Sequence, residues 1–173
     1  MTIDYAAGGV TIQQAMVDYV KRHGAKERPI SILWDGKRIS TADTISTTKD
    51  GRLNLEFLSA KEGIEQAVDV RVDSGWIELS DGQRVSTLRT WNDPRYESNV
   101  EYRWHSQDRR LWIWNVYKIQ FGARVLDEKW TGNAGLWVEK RSDNERIYHC
   151  SHGAAEPPDF ESLVFKITVT PEG

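Results

Sequence analysis

From Pro29 to Val169 apolar and polar residues alternate with a period of two, and this alternation limits what the chain can fold into. Successive side chains of a strand point to opposite faces of a sheet, so a period of two predicts strands with one buried face. Many short strands separated by turn residues predict a mainly β fold, with an antiparallel β-sandwich or a flattened barrel as its two forms. We expect residues 1–173 to form one domain. The predicted strands are residues 30–34, 53–58, 67–72, 75–79, 85–91, 100–105, 111–121, 123–130, 136–140, 146–150 and 163–169.

The register of one predicted hairpin depends on the type of its turn. A two-residue turn at Asp81 and Gly82 would place Ile77 opposite Ser86, which puts apolar and polar side chains on the same face. A three-residue loop with Gly82 in the left-handed conformation places Ile77 opposite Val85 instead. The sequence therefore predicts the bulged, three-residue turn.

The segment before the strands has the period of a helix. Thr11 and Gln14 have the spacing of a capping box, and Gly24 can end the helix. These signals predict an amphipathic helix over residues 11–23, whose apolar stripe packs on a sheet or over a barrel mouth. A detachable helix that binds a partner is the alternative. The stripe consists of Ile12, Ala15, Met16, Tyr19 and Val20.

Composition and charge narrow the classes of function. With 173 residues and 39% hydrophobic content, the chain can bury a core without disulfides. Its net charge of -3 gives no field that would attract duplex nucleic acid. No signal-peptide pattern and no apolar run of membrane-spanning length occur, and the single cysteine, Cys150, weakly favours a reducing compartment. We therefore expect a cytoplasmic protein, with export by a signal-less route left open.

Tryptophan is unusually frequent in this chain. Five of its eight tryptophans lie between residues 104 and 137. The predicted strand 111–121 carries Leu111 and Ile113 on one face and Trp112 and Trp114 on the other, so it is apolar on both faces. Such a strand either is covered on both sides or presents one face to a ligand. Filling of the core is the simpler explanation for any single ring, but we expect at least one of Trp104, Trp112 and Trp114 to be more than partly exposed.

Arginines interleave with these aromatic residues. Residues 84–124 carry eight basic and four acidic side chains, although the whole chain is acidic. Rigid indole rings beside guanidinium groups are typical of recognition surfaces. The sequence thus predicts a non-enzymatic protein without a cofactor that binds a protein partner or a glycan. The predicted binding surface consists of Tyr102, Arg103, Trp104, Arg110, Trp112, Trp114, Trp130 and Trp137.

Two other functions remain open at this stage. One is a small β-barrel enzyme or carrier with an aromatic-lined cavity for a small apolar or anionic ligand. The other is a site for a nucleotide or another anion on the basic segment. The sequence contains no phosphate-binding loop and no nucleophile motif that would favour an enzyme.

Residues 148–153 contain the cysteine and histidine side chains that could carry metal or thiolate chemistry. Cys150 and His152 lie on the same side of a predicted strand, but a zinc site needs three or four ligands. The remaining histidines are far away in the sequence. We therefore expect Cys150 to be a buried structural residue and no metal site to form. Carboxylates such as Glu78 and Glu101 receive no catalytic role, because only their separation could distinguish a catalytic pair.

Overall fold

The computed structural model describes residues 2–24 and 28–172, and β-strands account for most of them. A short 3-10 turn, Ala6–Gly8, precedes the helix α1, Ile12–His23. The strands are β1 Ser31–Trp34, β2 Lys37–Ser40, β3 Asp43–Ser46, β4 Asp50–Ala60, β5 Gln66–Arg71, β6 Gly75–Glu78, β7 Arg84–Val85, β8 Thr87–Trp91, β9 Asn99–Ser106, β10 Arg110–Phe121, β11 Arg124–Glu128, β12 Gly135–Lys140, β13 Glu145–Ser151 and β14 Leu163–Glu172.

These strands form two antiparallel sheets. The first sheet has nine strands in the order β1-β2-β12-β13-β14-β4-β9-β6-β7. The second has five, with the order β11-β10-β5-β8 and with β3 paired to β10. The two sheets pack face to face, so the prediction of a mainly β sandwich with an N-terminal helix is confirmed.

The core lies between the sheets and takes alternate residues from both. The first sheet contributes Leu55, Trp104 and Phe165, and the second contributes Val70 and Ile113. All five side chains are at most 2% exposed. Successive residues of a strand point to opposite faces of the sheet, so the residues on either side of each core residue lie on the outside of the sandwich. This arrangement explains the period of two in the sequence.

Two strands were not predicted from the sequence. Strands β2 and β3 are four residues long and each buries one apolar side chain, Ile39 or Ile45, so neither is long enough to show alternation. The Asp-Gly pair before β2 is a hairpin-turn signal in the sequence. In the structure Asp35 and Gly36 both have a positive φ, as a two-residue hairpin turn requires. The predicted strand over residues 85–91 is in fact two strands, β7 in the first sheet and β8 in the second.

The predicted register of the hairpin formed by β6 and β7 is confirmed. Ile77 pairs with Val85, and Gly82 has a φ of 87°. The backbone N–H of Leu79 donates to the carbonyl of Gln83 at 2.8 Å and closes the three-residue loop. The parity of apolar residues was therefore sufficient to choose the turn.

Helix α1 forms where the sequence predicted it, and its capping box is present. The Thr11 side chain accepts from the backbone N–H of Gln14 at 3.1 Å, and the Gln14 side chain accepts from the N–H of Thr11 at 2.8 Å. Ile12, Ala15 and Met16 are buried. They pack on the hairpin of β1 and β2, in a cluster with Ile32, Trp34 and Ile39 that is separate from the core between the sheets.

Contacts from the loop before β12 fix the start of α1. The side chain of Asn133 accepts from the N–H of Ile12 at 3.1 Å, and the carbonyl of Gly132 accepts from the N–H of Gln13 at 2.9 Å. The first turn of a helix has free N–H groups that need such acceptors. The loop thereby holds α1 beside the second sheet, where the helix forms one wall of a groove.

Candidate functional site

Strand β10 places two tryptophans on the outer face of the second sheet. Leu111 and Ile113 point into the core, while Trp112 and Trp114 lie on the opposite face with Val116. Trp114 is 2% exposed and Trp112 is half-buried. In the sheet register Arg71 of β5 lies directly opposite Trp112. The outer face of β10 therefore carries a pair of indoles beside a guanidinium group.

Helix α1 and residues 28–30 convert this face into a groove of about 720 Å³. Met16, Val17 and Val20 of the helix form one apolar wall, and Pro29 and Ile30 extend it. Val17 is 52% exposed, so part of this wall faces solvent. We call this feature the tryptophan groove and define it by Val17, Arg28, Arg71, Trp112, Trp114 and Trp130.

Hydrogen bonds hold two of the three indoles of the tryptophan groove. Trp112 donates from Nε1 to Oδ2 of Asp73 at 3.0 Å, and Trp130 donates from Nε1 to the carbonyl of Thr41 at 2.8 Å. The rings of Trp114 and Trp130 are 5.6 Å apart and tilted by 57°, a favourable arrangement for aromatic pairs. Nε1 of Trp114 is buried and has no acceptor among the residues that the structure describes. The aromatic surface is thus largely preformed.

Two cations lie between the three rings. The guanidinium of Arg71 is 5.2 Å from the centroid of Trp112 and 5.5 Å from that of Trp114. The ammonium of Lys129 is 4.9 Å from the centroid of Trp114 and 4.8 Å from that of Trp130. Both separations are within the range of cation–π attraction. Indoles and cations therefore alternate along one side of the groove.

The structure separates the predicted surface residues. Trp112, Trp114 and Trp130 come together in the tryptophan groove, but the other five lie elsewhere. Tyr102 and Trp104 belong to the core between the sheets, and Trp104 is 2% exposed. Its partner across the β4–β9 pair is Gly51, where a side chain would collide with the indole, so the missing side chain makes room for the ring.

Of the remaining predicted residues, Arg103 lies 4.0 Å from Glu78 on the outer face of the first sheet, and Arg110 is exposed at the start of β10. Trp137 lies on β12 of the first sheet. Its ring stacks on His149 with centroids 4.0 Å apart, and the ammonium of Lys37 lies 4.3 Å from the ring. Trp137 therefore has partners within the chain and takes no part in the groove.

The expectation that at least one of Trp104, Trp112 and Trp114 is more than partly exposed is wrong. Trp104 and Trp114 are 2% exposed, and Trp112 is half-buried. Trp104 faces the core because of its strand parity, and Trp114 is covered by its neighbours on the outer face of the sheet. The exposed ring of the groove is Trp130, at 40%.

Four residues at the site were not predicted from the sequence. They come from segments that are distant along the chain and are Val17, Arg28, Arg71 and Lys129. Arg71 and Asp69 lie on the same face of β5, so the sequence indicates only that this face is polar. The pairing of β5 with β10 is what places Arg71 beside Trp112. No local pattern carries this information.

Cys150 and His152, which could carry metal or thiolate chemistry, are both buried. Cys150 is completely buried, and burial raises the pKa of its thiol well above the usual range. Nδ1 of His152 is 2.8 Å from Oγ of Ser162, but that hydroxyl donates to the carbonyl of Asp159 at 2.7 Å and is itself fully buried. A serine that donates to a carbonyl in the core is not an activated nucleophile. The described residues contain no group of three side chains that could hold a metal ion.

We expect stability to fall as the pH is lowered through the titration of His152. Burial lowers its pKa, with a smaller contribution from Lys61 that Asp159 opposes. The folded state therefore binds the proton less well than the unfolded chain, so stability is complete above the unfolded value of about 6.5 and decreases as the pH falls below it. Urea denaturation at pH 8 to 5 should show a weaker pH dependence for His152→Asn than for the wild type. Parallel pH profiles for the two proteins would contradict this expectation.

No protein-family model, curated protein or solved structure matches this chain. In the described part of the chain, no helix has the length and apolar character to cross a membrane.

Proposed function

We propose that this chain is a non-enzymatic recognition protein that binds a partner protein through the tryptophan groove. The observation that supports this function is a concave apolar surface on which hydrogen bonds already hold Trp112 and Trp130. Binding energy in protein interfaces is concentrated where an apolar anchor enters a pocket lined by aromatic side chains. A preformed pocket also reduces the ordering cost of association.

The walls of the groove favour an apolar side chain over a sugar. Met16, Val17 and Ile30 are aliphatic, and a sugar ring needs many hydrogen-bond partners. The indole N–H groups of Trp112 and Trp130 already have acceptors within the chain. A large apolar side chain of a partner protein therefore suits this groove better than a glycan does.

A carrier of small apolar or anionic molecules is the second candidate. Its support is the volume of the groove, about 720 Å³, which is in the range of small-molecule sites. The space between the sheets near Leu53, Ile77 and Trp104 does not admit a water molecule. A small ligand of this chain would therefore use the same groove, with Arg71 beside it, and not the interior of the sandwich.

N-acetyl-phenylalanine amide, a neutral model of a partner's aromatic side chain, is the probe that tests the proposed function. Titration is followed by the indole N–H signals of the protein in two-dimensional NMR. We expect the signals of Trp112 and Trp130 to shift, while those of Trp76 and Trp137 stay unchanged. In Val17→Asp the affinity should fall by about tenfold, because a charge replaces an apolar wall of the groove.

Val125→Asp is the matched control for this measurement. Val125 is 58% exposed, close to the 52% of Val17, but it lies on the edge strand β11 outside the groove. We expect this variant to bind the probe as the wild type does. Equal affinities for Val17→Asp and the wild type, or no shift of the groove indoles at all, would refute the proposed function.

A further inference from the structure

We infer that the groove binds an acidic segment of its partner, in which a carboxylate side chain lies next to the apolar anchor and contacts Lys129 and Arg28. This inference rests on the proposed function. The charges that surround the groove specify the chemistry of the partner.

The lining of the groove is positively charged. It includes Arg28 and Arg71, and no aspartate or glutamate is among the described residues that line it. Arg71 lies 3.0 Å from Asp73, so its charge is largely balanced. Lys129 and Arg28 have no carboxylate within 4.0 Å in the described parts of the chain. These two cations are therefore available to a ligand.

Unpaired cations are not typical of this face of the second sheet. Arg89 bonds to Asp69 at 2.8 Å, and Lys118 lies 3.7 Å from Glu65. Lys118 and Lys129 both place an ammonium 4.9 Å from an indole, Trp91 in one case and Trp114 in the other. The two lysines differ in that Lys129, at the groove, has no acidic partner among the residues that the structure describes. In a chain with a net charge of -3, this local positive charge fits a partner of opposite sign.

The position of Lys129 determines where the carboxylate must lie. Its ammonium is 4.8 Å from the centroid of Trp130, the exposed ring of the groove, so an apolar side chain that covers this ring also removes water from the ammonium. A cation that loses water without gaining a counter-charge opposes binding. A carboxylate adjacent to the anchor supplies that charge where the effective dielectric is lower than in bulk water.

Two blocked dipeptides of nearly equal shape test the inference. N-acetyl-Phe-Glu-amide and N-acetyl-Phe-Gln-amide differ in one negative charge, and both are titrated into the full chain with the indole N–H signals as the readout. We expect the Glu peptide to bind about fivefold more tightly at low salt, the size of one well-placed surface ion pair. The preference should shrink at about 0.5 M salt, because ions screen the attraction.

Substitution of the cations shows which of them produces the preference for the Glu peptide. In Lys129→Gln and in the double variant Arg28→Gln with Lys129→Gln, the preference for the Glu peptide should fall toward onefold, while the affinity for the Gln peptide does not fall, because no ammonium loses water on binding. Lys118→Gln is the matched control, since it removes an ammonium from an indole outside the groove. It should keep the full preference, and the indole spectrum shows directly that each variant is folded.

The outcomes separate the inference from the function on which it rests. Equal affinity of the wild type for both peptides overturns the acidic partner but leaves the groove as a recognition site. Absence of binding by either peptide overturns the proposed function. If phenylacetate binds more tightly than the Glu peptide, the proposal of a protein segment is overturned in favour of a small anionic ligand. An equal loss of preference in Lys118→Gln and Lys129→Gln overturns the assignment to Lys129.

Discussion

Replacing Trp104 with alanine is expected to lower the free energy of unfolding by about 3 to 5 kcal/mol, because the ring fills space that no other side chain can occupy. The indole is 2% exposed and lies against Gly51, which has no side chain to close the gap. Its Nε1 donates to the carbonyl of Thr48 at 3.1 Å, and this acceptor would lose its partner. Urea denaturation and thermal melts measure the effect, and for a chain of this size the melting temperature should fall by about 10 °C.

Trp76→Ala is the control for this substitution. Trp76 is half-buried on the outer face of the first sheet, where its ring contacts the guanidinium of Arg84 at 3.9 Å and stacks on His105 at 5.8 Å. Loss of this ring opens a surface that water can fill, so we expect a cost of about 1 kcal/mol. If Trp104→Ala melts within a few degrees of Trp76→Ala, then Trp104 does not fill the core as described.

The contrast between these two tryptophans shows what the sequence could predict. The alternation of residues identified most strands, and the parity around Asp81 and Gly82 chose the register of a hairpin, because both depend on residues that are close along the chain. Strand parity puts Trp104 on one face of β9 together with Val100 and Tyr102, but it does not say what covers that face. The room for the ring comes from Gly51, its partner more than fifty residues earlier, and local periodicity contains no information on that pairing. The sequence prediction therefore counted a core tryptophan as part of a binding surface.

The candidate site was predictable to the extent that it lies on one strand. Trp112 and Trp114 alternate along β10, and their shared face was evident from the sequence. Arg71 joins them through the pairing of β5 with β10, and Val17 joins them because Asn133 and its loop position α1. Conversely, Arg103 and Arg110 are close to these tryptophans along the chain but are separated from them in space. Neighbours in the sequence therefore defined only the aromatic part of the site.

Replacing Arg89 with leucine is expected to lower the free energy of unfolding by about 3 kcal/mol, because it leaves a buried carboxylate without its partner. Asp69 is 1% exposed and accepts two hydrogen bonds from the guanidinium, at 2.8 and 2.9 Å. This bidentate contact raises the pKa of Arg89 above its usual value. Urea denaturation at neutral pH measures the loss.

The double variant Asp69→Leu with Arg89→Leu separates a buried unpaired charge from a loss of packing. Removing both partners leaves no uncompensated charge, so its stability should return to within about 1 kcal/mol of the wild type. Asp127→Asn is a second control, because Asp127 lies 3.2 Å from Arg89 but is 41% exposed, and such pairs contribute little. A double variant as unstable as Arg89→Leu would show that the side chains stabilise the sheet by packing. A loss below 1 kcal/mol in Arg89→Leu itself would show that water reaches the Asp69 carboxylate.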